Sequence, residues 1–151
     1  MKHRLVDVYP YRILDGGAVE HLLLHRAQGA VYSGEWRMVG GKVEDSESAW
    51  QAGLRELSEE TGLKPVRFWA LPSVNSFYEW QSDAVHHIPA FAAEVDRNPV
   101  LDHEHDDFAW LSLEDALIRM AWPEQCRLLR LLDSYLRRSV PPELLIVPPT
   151  G

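Results

Sequence analysis

One segment of this chain, residues 41–63, constrains the fold and the function more than any other. It reads GKVEDSESAWQAGLRELSEETGL, and its residues favour an α-helix over about residues 46–61. Asp45 or Ser46 is the expected N-cap, because short polar side chains accept hydrogen bonds from the first backbone N–H groups of a helix. Gly62 stands where a left-handed C-cap belongs. The segment therefore predicts a helix with a defined beginning and end.

The side chains of this helix divide into an apolar stripe and an acidic face. Glu56, Glu59 and Glu60 are three and four residues apart, so their carboxylates project from one side of the helix and repel each other. We therefore expect a cation beside them. Hard oxygen ligands suit Mg²⁺ or Mn²⁺, which bind through a few carboxylates and substrate phosphates. The apolar stripe consists of Trp50, Leu54, Leu57 and Thr61.

The spacing of the whole segment is similar to that of a known family. Gly41 is followed after five residues by Glu47, and after seven more by Arg55 and the run Glu-Leu-Ser-Glu-Glu-Thr-Gly-Leu. This pattern resembles the Nudix signature at every specified position. The resemblance implies an α/β protein with the Nudix fold, in which a mixed β-sheet is sandwiched between helices (α/β/α). It also implies a Mg²⁺-dependent hydrolase of phosphoanhydrides in nucleoside diphosphate derivatives, with Mn²⁺ as an alternative cation.

The signature also implies roles for individual residues. Glu59 is expected to bind a second metal ion or to act as the general base. Arg55 is expected to serve catalysis by orienting the carboxylates, because a guanidinium can bridge two of them, and Glu47 is its expected partner. The metal ligands implied by the resemblance are the carbonyl group of Gly41 and the carboxylates of Glu56, Glu59 and Glu60.

Similarity to the family continues downstream. The stretch from Glu104 and His105 to Trp110 and Leu111 resembles one in bacterial Nudix enzymes that act on dATP and dihydroneopterin triphosphate. The resemblance implies that Glu104 is a metal ligand or the general base. We expect Glu104 on a loop at the end of a strand, where functional residues of α/β proteins often lie.

Five further residues are candidates for binding the substrate. Arg26 ends a segment similar to the second strand of the family, whose terminal arginine commonly faces phosphate. Lys42 belongs to a stretch similar to the usual approach to the signature. Trp36 and Tyr78 are candidates for stacking on a base, as is Phe77, although aromatic residues next to strands more often belong to the core.

These resemblances favour one reaction among three hypotheses. The Glu104 stretch favours hydrolysis of a nucleoside or pterin triphosphate to the monophosphate and pyrophosphate by metal-assisted attack of water. A dinucleoside polyphosphate hydrolase of the diadenosine tetraphosphate type is the alternative, because Tyr78 lies near the position where a tyrosine marks that subgroup. A non-catalytic nucleotide-binding Nudix domain is the hypothesis from another class. Its usual hallmark is the loss of signature glutamates, and none is lost here.

Composition limits the partners and the location. The chain carries 15 Lys and Arg against 23 Asp and Glu, and this net charge of −8 argues against a nucleic-acid polymer as partner. The lone Cys126 cannot form an internal disulfide, and no apolar run approaches membrane-spanning length. We therefore expect a cytoplasmic protein that binds a small nucleotide and no membrane. A homodimer is compatible with the sequence, but no feature demands one.

The remaining patterns predict one domain of mixed strands and helices. We expect this domain over residues 1–140 and a proline-rich, extended C-terminal tail over residues 141–151. A hairpin turn is predicted at residues 15–17. Helices are expected over residues 112–120 and from Pro123 onward, the second with a leucine-rich face. Strands are predicted over residues 5–14, 18–25, 35–39, 66–70, 73–80, 85–95 and 108–111.

Overall fold

Helices cover both faces of a mixed β-sheet in the computed structural model of this chain, which describes residues 4–146. The strands are β1 (Arg4–Ile13), β2 (Val19–Arg26), β3 (Trp36–Arg37), β4 (Val39–Val43), β5 (Arg67–Glu79), β6 (Ala84–Glu94) and β7 (His105–Leu111). The helices are α1 (Ala49–Thr61), α2 (Leu113–Arg119) and α3 (Pro123–Arg137), followed by a 3₁₀ helix at Pro142–Leu144. Within residues 4–146 no helix is long and apolar enough to cross a membrane.

Strand β1 organises the sheet because it pairs with three other strands. It runs parallel to β6 on one side, and on the other side it is antiparallel first to β4 and then to β2. The main order is β3-β2-β1-β6-β5, with β4 beside β1 and β7 beside β2. The register places Val6 opposite Gly41 and Tyr11 opposite His21. The glycine of the signature is therefore held at the N-terminal half of β1, beyond the part that pairs with β2.

The two faces of the sheet bury two separate apolar clusters. On one face, α1 places Ala52 and Leu57 against strand residues that include Val8 and Phe91. On the other face, α2 and α3 pack on the sheet. The larger fully buried side chains of this second cluster include Tyr9, Tyr11, Leu23, Trp69, Leu128, Leu129 and Leu132. This arrangement confirms the predicted α/β/α layers and the leucine-rich face of α3.

The signature helix begins later than the sequence predicted. Its N-cap is Ser48, not Asp45 or Ser46, because Ser48 and Gln51 form a reciprocal capping box. The Ser48 hydroxyl accepts from the backbone N–H of Gln51, and the Gln51 side-chain oxygen accepts from the N–H of Ser48. The predicted C-cap is confirmed, since Gly62 has φ of 68° and donates its N–H to the Ser58 carbonyl.

Four strand predictions also differ from the structure. Residues 35–39 do not form one strand, because β3 pairs with β2 whereas β4 continues to Val43 along β1. The predicted strands over residues 66–70 and 73–80 are one strand, β5, with an irregular register between Ala70 and Val74. Strand β7 begins at His105 and not at Phe108, which places Glu104 directly before it.

The C-terminal segment is not simply extended. After α3 it forms the 3₁₀ helix, and Leu145 then makes an antiparallel bridge with Trp69 of β5. The backbone N–H of Ile146 donates to the Phe68 carbonyl. The proline-rich stretch therefore packs against the edge of the sheet as far as the structure describes it, and residues 147–151 lie outside the described part.

Candidate active site

A cavity of about 680 Å³ opens where the signature helix meets the sheet. Some of the predicted site residues, from distant parts of the chain, come together in this cavity, and others lie outside it. The predicted residues that line the cavity are Arg26, Gly41, Lys42, Glu56, Glu60, Phe77 and Glu104. Arg55, Glu59, Trp36 and Tyr78 are not among its lining residues.

Two carboxylates of α1 form the acidic wall of this cavity. Glu56 and Glu60 lie one helical turn apart, and only 5% of the Glu60 residue is exposed. Burial, followed by the neighbouring Glu56, raises the pKa of Glu60 to about 10. Gly41 packs against the Glu56 carboxylate so closely that any Cβ at position 41 would overlap it. A side chain at position 41 would therefore displace the Glu56 carboxylate from its observed position.

Arg55 holds the acidic wall in place from outside the cavity. Its guanidinium donates to both carboxylate oxygens of Glu47, at 2.8 and 2.9 Å, and to Glu56 at 2.9 Å. It also donates to the Lys42 carbonyl at 2.8 Å, which ties α1 to β4. The pKa of Glu47 is lowered, chiefly by its hydrogen bond with Arg55. This geometry supports the expected role of Arg55 in orienting carboxylates.

Glu59 lies on the exposed side of the same helix. Its side chain is 57% exposed and accepts a 3.2 Å hydrogen bond from Arg55. The cavity side of α1 is thus formed by Glu56 and Glu60, while Glu59 faces outward in this structure.

Glu104 reaches the cavity from the loop before β7 and pairs with Arg26. The Arg26 guanidinium donates to Glu104 at 3.0 Å and contacts His105 Nε2 at 3.2 Å. Because an arginine can only donate, Nε2 of His105 accepts, and its Nδ1–H donates to Asp102 at 2.7 Å. His105 also lies 3.6 Å from a Glu60 oxygen. The chain Glu104–Arg26–His105 therefore joins the downstream loop to the acidic wall.

Trp36 and Tyr78, both predicted to bind substrate, lie elsewhere. The Trp36 ring packs beside His25 and under the Arg119 guanidinium. Tyr78 is 59% exposed near the tip of the β5–β6 hairpin, where its hydroxyl donates to Asp83. The prediction that these two residues bind substrate finds no support in the geometry of the cavity.

With this geometry established, comparison with known proteins identifies the family. A family model described as the NUDIX domain matches residues 2–132.

The chain belongs to the Nudix family.

Two curated Nudix relatives show how far the similarity extends. The CTP pyrophosphohydrolase of Escherichia coli (strain K12) is 34% identical over 96 residues, which cover 64% of this chain and 69% of the relative. The asymmetrical bis(5'-nucleosyl)-tetraphosphatase of Caenorhabditis elegans is 30% identical over 131 residues, which cover 83% of this chain and 91% of the relative.

Solved structures agree on the fold. A crystal structure of a C. elegans Ap4A hydrolase binary complex superposes with a TM-score of 0.70 at 24% identity, covering 89% of this chain and 98% of that chain. At this identity the likeness shows the Nudix fold. As a Nudix protein, the chain belongs to an enzyme family that hydrolyses phosphoanhydrides and generally uses a divalent metal ion.

The acidic wall of this Nudix domain has the chemistry of a divalent-cation site. Within residues 4–146 no three His, Cys, Asp or Glu side chains are arranged to hold a metal ion alone. Glu56 and Glu60 nevertheless offer two adjoining hard oxygen donors, and their mutual repulsion needs a positive charge. Mg²⁺ typically binds through one or two carboxylates together with substrate phosphates. The pair therefore fits an ion that arrives with the substrate.

Sequence reasoning missed several residues of the cavity. Asp7, Asn75 and Gln125 form a buried polar cluster in its wall, and burial raises the pKa of Asp7. Tyr32 and Trp122 line it as well, with ring centroids 6.1 Å apart. Asp7 stands in a continuous run of buried residues of β1, so the apolar residues around it could have indicated its burial, but no spacing pattern connects it to positions 75 and 125.

Proposed function

We propose that this Nudix protein hydrolyses a nucleoside or pterin triphosphate to the monophosphate and pyrophosphate. The observation that carries the proposal is the pair of buried Glu60 and half-buried Glu56, which shares one cavity with the cationic side chains of Arg26 and Lys42. Carboxylates for a metal ion and cations for phosphate are the two requirements of phosphoanhydride hydrolysis. The similarity to a protein named CTP pyrophosphohydrolase supports a triphosphate as substrate.

The metal ligands in this proposal are Glu56, Glu60 and the carbonyl of Gly41. A bound Mg²⁺ or Mn²⁺ would supply Lewis acidity and neutralise charge on the phosphate oxygens. Arg55 keeps the Glu56 carboxylate directed at the site through its 2.9 Å hydrogen bond. Glu59 is exposed, so it would complete the site only as a ligand of a second metal ion that binds with the phosphates.

The general base in this proposal is Glu104. Water attacks a phosphorus atom of the triphosphate, the bridging P–O bond breaks, and pyrophosphate leaves with the bond electrons. The proton of the attacking water passes to a Glu104 carboxylate oxygen, which has access to the cavity. Arg26 fixes the position of this carboxylate and can also approach a phosphate. Glu59 is the other candidate for the base.

A dinucleoside polyphosphate is the second candidate substrate. The observation that favours it is the similarity to the asymmetrical tetraphosphatase, which extends over 83% of this chain. A cavity of about 680 Å³ falls within the usual range for small-molecule sites and does not by itself separate the two substrates.

A panel assay with product identification tests the proposal. Nucleoside triphosphates, dihydroneopterin triphosphate and diadenosine tetraphosphate are each incubated with the protein and Mg²⁺, with and without added inorganic pyrophosphatase. We expect phosphate release only when pyrophosphatase is present, because pyrophosphate is the product. A preparation of Glu60→Gln serves as the control for contaminating hydrolases. Preferred cleavage of the tetraphosphate would favour the second candidate, and inertness towards every compound would contradict both.

A further inference from the structure

A second buried carboxyl group lies in the cavity wall, apart from the acidic wall of α1. Asp7 is only 6% exposed, Asn75 5% and Gln125 3%. They come from β1, β5 and α3, so three separate elements converge here, and all three residues line the cavity. Buried polar side chains are costly to keep unless they are hydrogen-bonded. Their position in a substrate cavity therefore calls for a specific explanation.

The hydrogen bonds of the cluster leave one Asp7 oxygen available. The side-chain amides of Asn75 and Gln125 both donate to Oδ2 of Asp7, at 3.1 and 3.3 Å. No residue within 4–146 donates a side-chain hydrogen bond to Oδ1. Because the two amide nitrogens are engaged with Asp7, their carbonyl oxygens are also acceptors. Each amide NH2 group also keeps one hydrogen beyond its bond to Asp7, so the cluster offers donors as well as acceptors, and Oδ1 is the carboxyl oxygen without a side-chain donor.

The backbone beside Asp7 keeps this oxygen accessible. Gly40 lines the cavity next to it, and a Cβ at Gly40 would lie 3.3 Å from Oδ1 of Asp7. A larger residue at position 40 would crowd the approach to that oxygen. The glycine therefore leaves space on the side of the carboxyl group that lacks a protein partner.

The walls around the cluster suit a flat heterocycle. Phe77, Ile88 and Met38 supply apolar surface, and the rings of Tyr32 and Trp122 stand at the rim. Aromatic and aliphatic walls with a few buried polar groups are the usual composition of a site for a ring-shaped ligand. The phosphates would then lie towards the cationic and acidic side chains of the same cavity.

We propose that Oδ1 of Asp7 accepts a hydrogen bond from the exocyclic amino group of the substrate's heterocycle and so selects amino-bearing bases. This inference rests on the proposed function, because it names the substrate class of the same site. Cytosine, guanine, adenine and pterin carry such a group, whereas uracil and hypoxanthine do not. In uracil a carbonyl oxygen replaces the amino group of cytosine and would face Oδ1 of Asp7. In hypoxanthine a hydrogen atom replaces the amino group of guanine and would leave this buried acceptor unpaired. Sites built to bind a polar group reject analogues that lack it.

Two matched ligand pairs test the inference by binding and by turnover. GMP with IMP, and CMP with UMP, differ at the amino position and are titrated calorimetrically against the protein. The triphosphates GTP, ITP, CTP and UTP are compared by kcat/KM. We expect the amino-bearing member of at least one pair to be favoured by about ten- to a hundredfold in both measurements. Ratios within about threefold in both pairs would overturn the inference.

Variants assign the preference to Asp7. Asp7→Asn keeps the shape and should reduce the ratio to below about threefold, mainly by weakening the amino-bearing ligand. Asp133→Asn is the matched control, because Asp133 is also buried but bonds to His21 outside the cavity. If Asp7→Asn does not fold, Gly40→Ala crowds both Oδ1 and the Val6 carbonyl oxygen with Asp7 in place, and should lower the same ratio. A preference that survives in every folded cavity variant would overturn the inference.

The two readouts separate this inference from the proposed function. Amino preference in binding without hydrolysis of any triphosphate would contradict the proposed function and leave the role of Asp7 standing. Hydrolysis to pyrophosphate without amino preference would do the reverse. Absence of both binding and hydrolysis would contradict both.

Discussion

Glu60 and Asp7 are both buried carboxyl groups in the wall of one cavity, yet their surroundings differ. Asp7 accepts two amide hydrogen bonds on one oxygen. Glu60 has another carboxylate beside it, and its nearest basic atom is His105 Nε2 at 3.6 Å. One carboxyl group is supported by neutral donors of the protein, and the other is opposed by a neighbouring charge.

This difference teaches what each region needs from a ligand. The region around Glu60 is electrostatically incomplete in the protein alone and becomes stable when a cation arrives. The region around Asp7 is already held in place by hydrogen bonds within the protein, and it needs from a ligand only a hydrogen-bond donor placed opposite Oδ1. Metal-dependent chemistry and base selection can therefore be disturbed separately, and the following predictions use that separation.

Removal of divalent cations should have the largest effect. Exhaustive chelation with EDTA is expected to lower turnover by at least about a thousandfold, because the acidic wall holds the ion only together with substrate phosphates. Millimolar Mg²⁺ or Mn²⁺ should restore it. Pyrophosphate release measures both steps. Undiminished turnover after chelation would contradict the metal mechanism. It would also contradict the view that the Glu60 region needs a cation whereas the Asp7 region does not.

Loss of one carboxylate of the acidic wall should come next. Glu60→Gln is expected to lower kcat by at least about a hundredfold, as for loss of a metal ligand, while the protein stays folded. Glu59→Gln is the control on the exposed side of α1. Steady-state kinetics of both variants decide the matter: if Glu59→Gln is the more damaging change, the site lies on the outer face of the helix.

Glu104 should have the third-largest effect. Glu104→Gln is expected to lower kcat by about a hundredfold with little change in KM, as for loss of a general base. Glu124→Gln is the matched control, because Glu124 also lines the cavity but pairs with Arg127 on its rim. Kinetics against pH should locate the loss in the chemical step. A Glu104 variant with more than about a third of normal kcat would make Glu59 the better candidate for the base.

The pH dependence of stability should report on the Glu60 region. A carboxyl group with a raised pKa binds its proton more tightly in the folded state, so its contribution to stability is full at low pH and is lost as pH rises. For Glu60 this window runs from about 4.5 to about 10. In metal-free buffer the Tm should therefore fall as pH rises from about 5 to 9.

Variants sharpen this thermal measurement. Glu60→Gln should flatten the pH profile and raise the Tm at pH 8 by at least about 3 °C, because it removes one member of the repelling acidic pair. Added Mg²⁺ should raise the wild-type Tm more at pH 8 than at pH 6. A wild-type profile that is flat without metal would contradict the account of Glu60.

The smallest effects should come from aromatic residues outside the cavity. Tyr78→Phe removes the hydroxyl that bonds to Asp83 and should change kcat/KM by less than about twofold, as for surface changes generally. Phe77→Ala, which removes a ring that lines the cavity, should raise KM severalfold. Equal effects of the two changes on KM would show that the hairpin tip also contacts substrate.

Local patterns predicted the signature helix and the layers well, because these depend on short-range rules. Helix geometry places Glu56 and Glu60 one turn apart on the same side. Gly62 ends the helix because its backbone adopts the left-handed conformation that glycine allows. The start of the helix was misplaced because several polar residues precede it, and only the reciprocal bond with Gln51 selects Ser48.

Contacts between distant segments could not be predicted in the same way. Asp7 meets Gln125 across 118 positions of sequence, and Arg26 meets Glu104 across 78. Such contacts depend on the pairing of β1 with β2, β4 and β6, and the periodicity of the sequence does not predict which strands pair. Trp36 and Tyr78, which do not line the cavity, show the same limit, because the sequence does not tell which face of the sheet an aromatic side chain next to a strand will occupy.

The bridge between Leu145 and Trp69 has a consequence for self-association. Strand β5 is the outermost strand on its side of the sheet, and such strands present unpaired N–H and C=O groups to other chains. The segment that follows α3 covers part of this row of unpaired backbone groups, since the N–H of Ile146 donates to the Phe68 carbonyl. Its role is thus protective: it closes a stretch of backbone onto which a second molecule could otherwise add a strand.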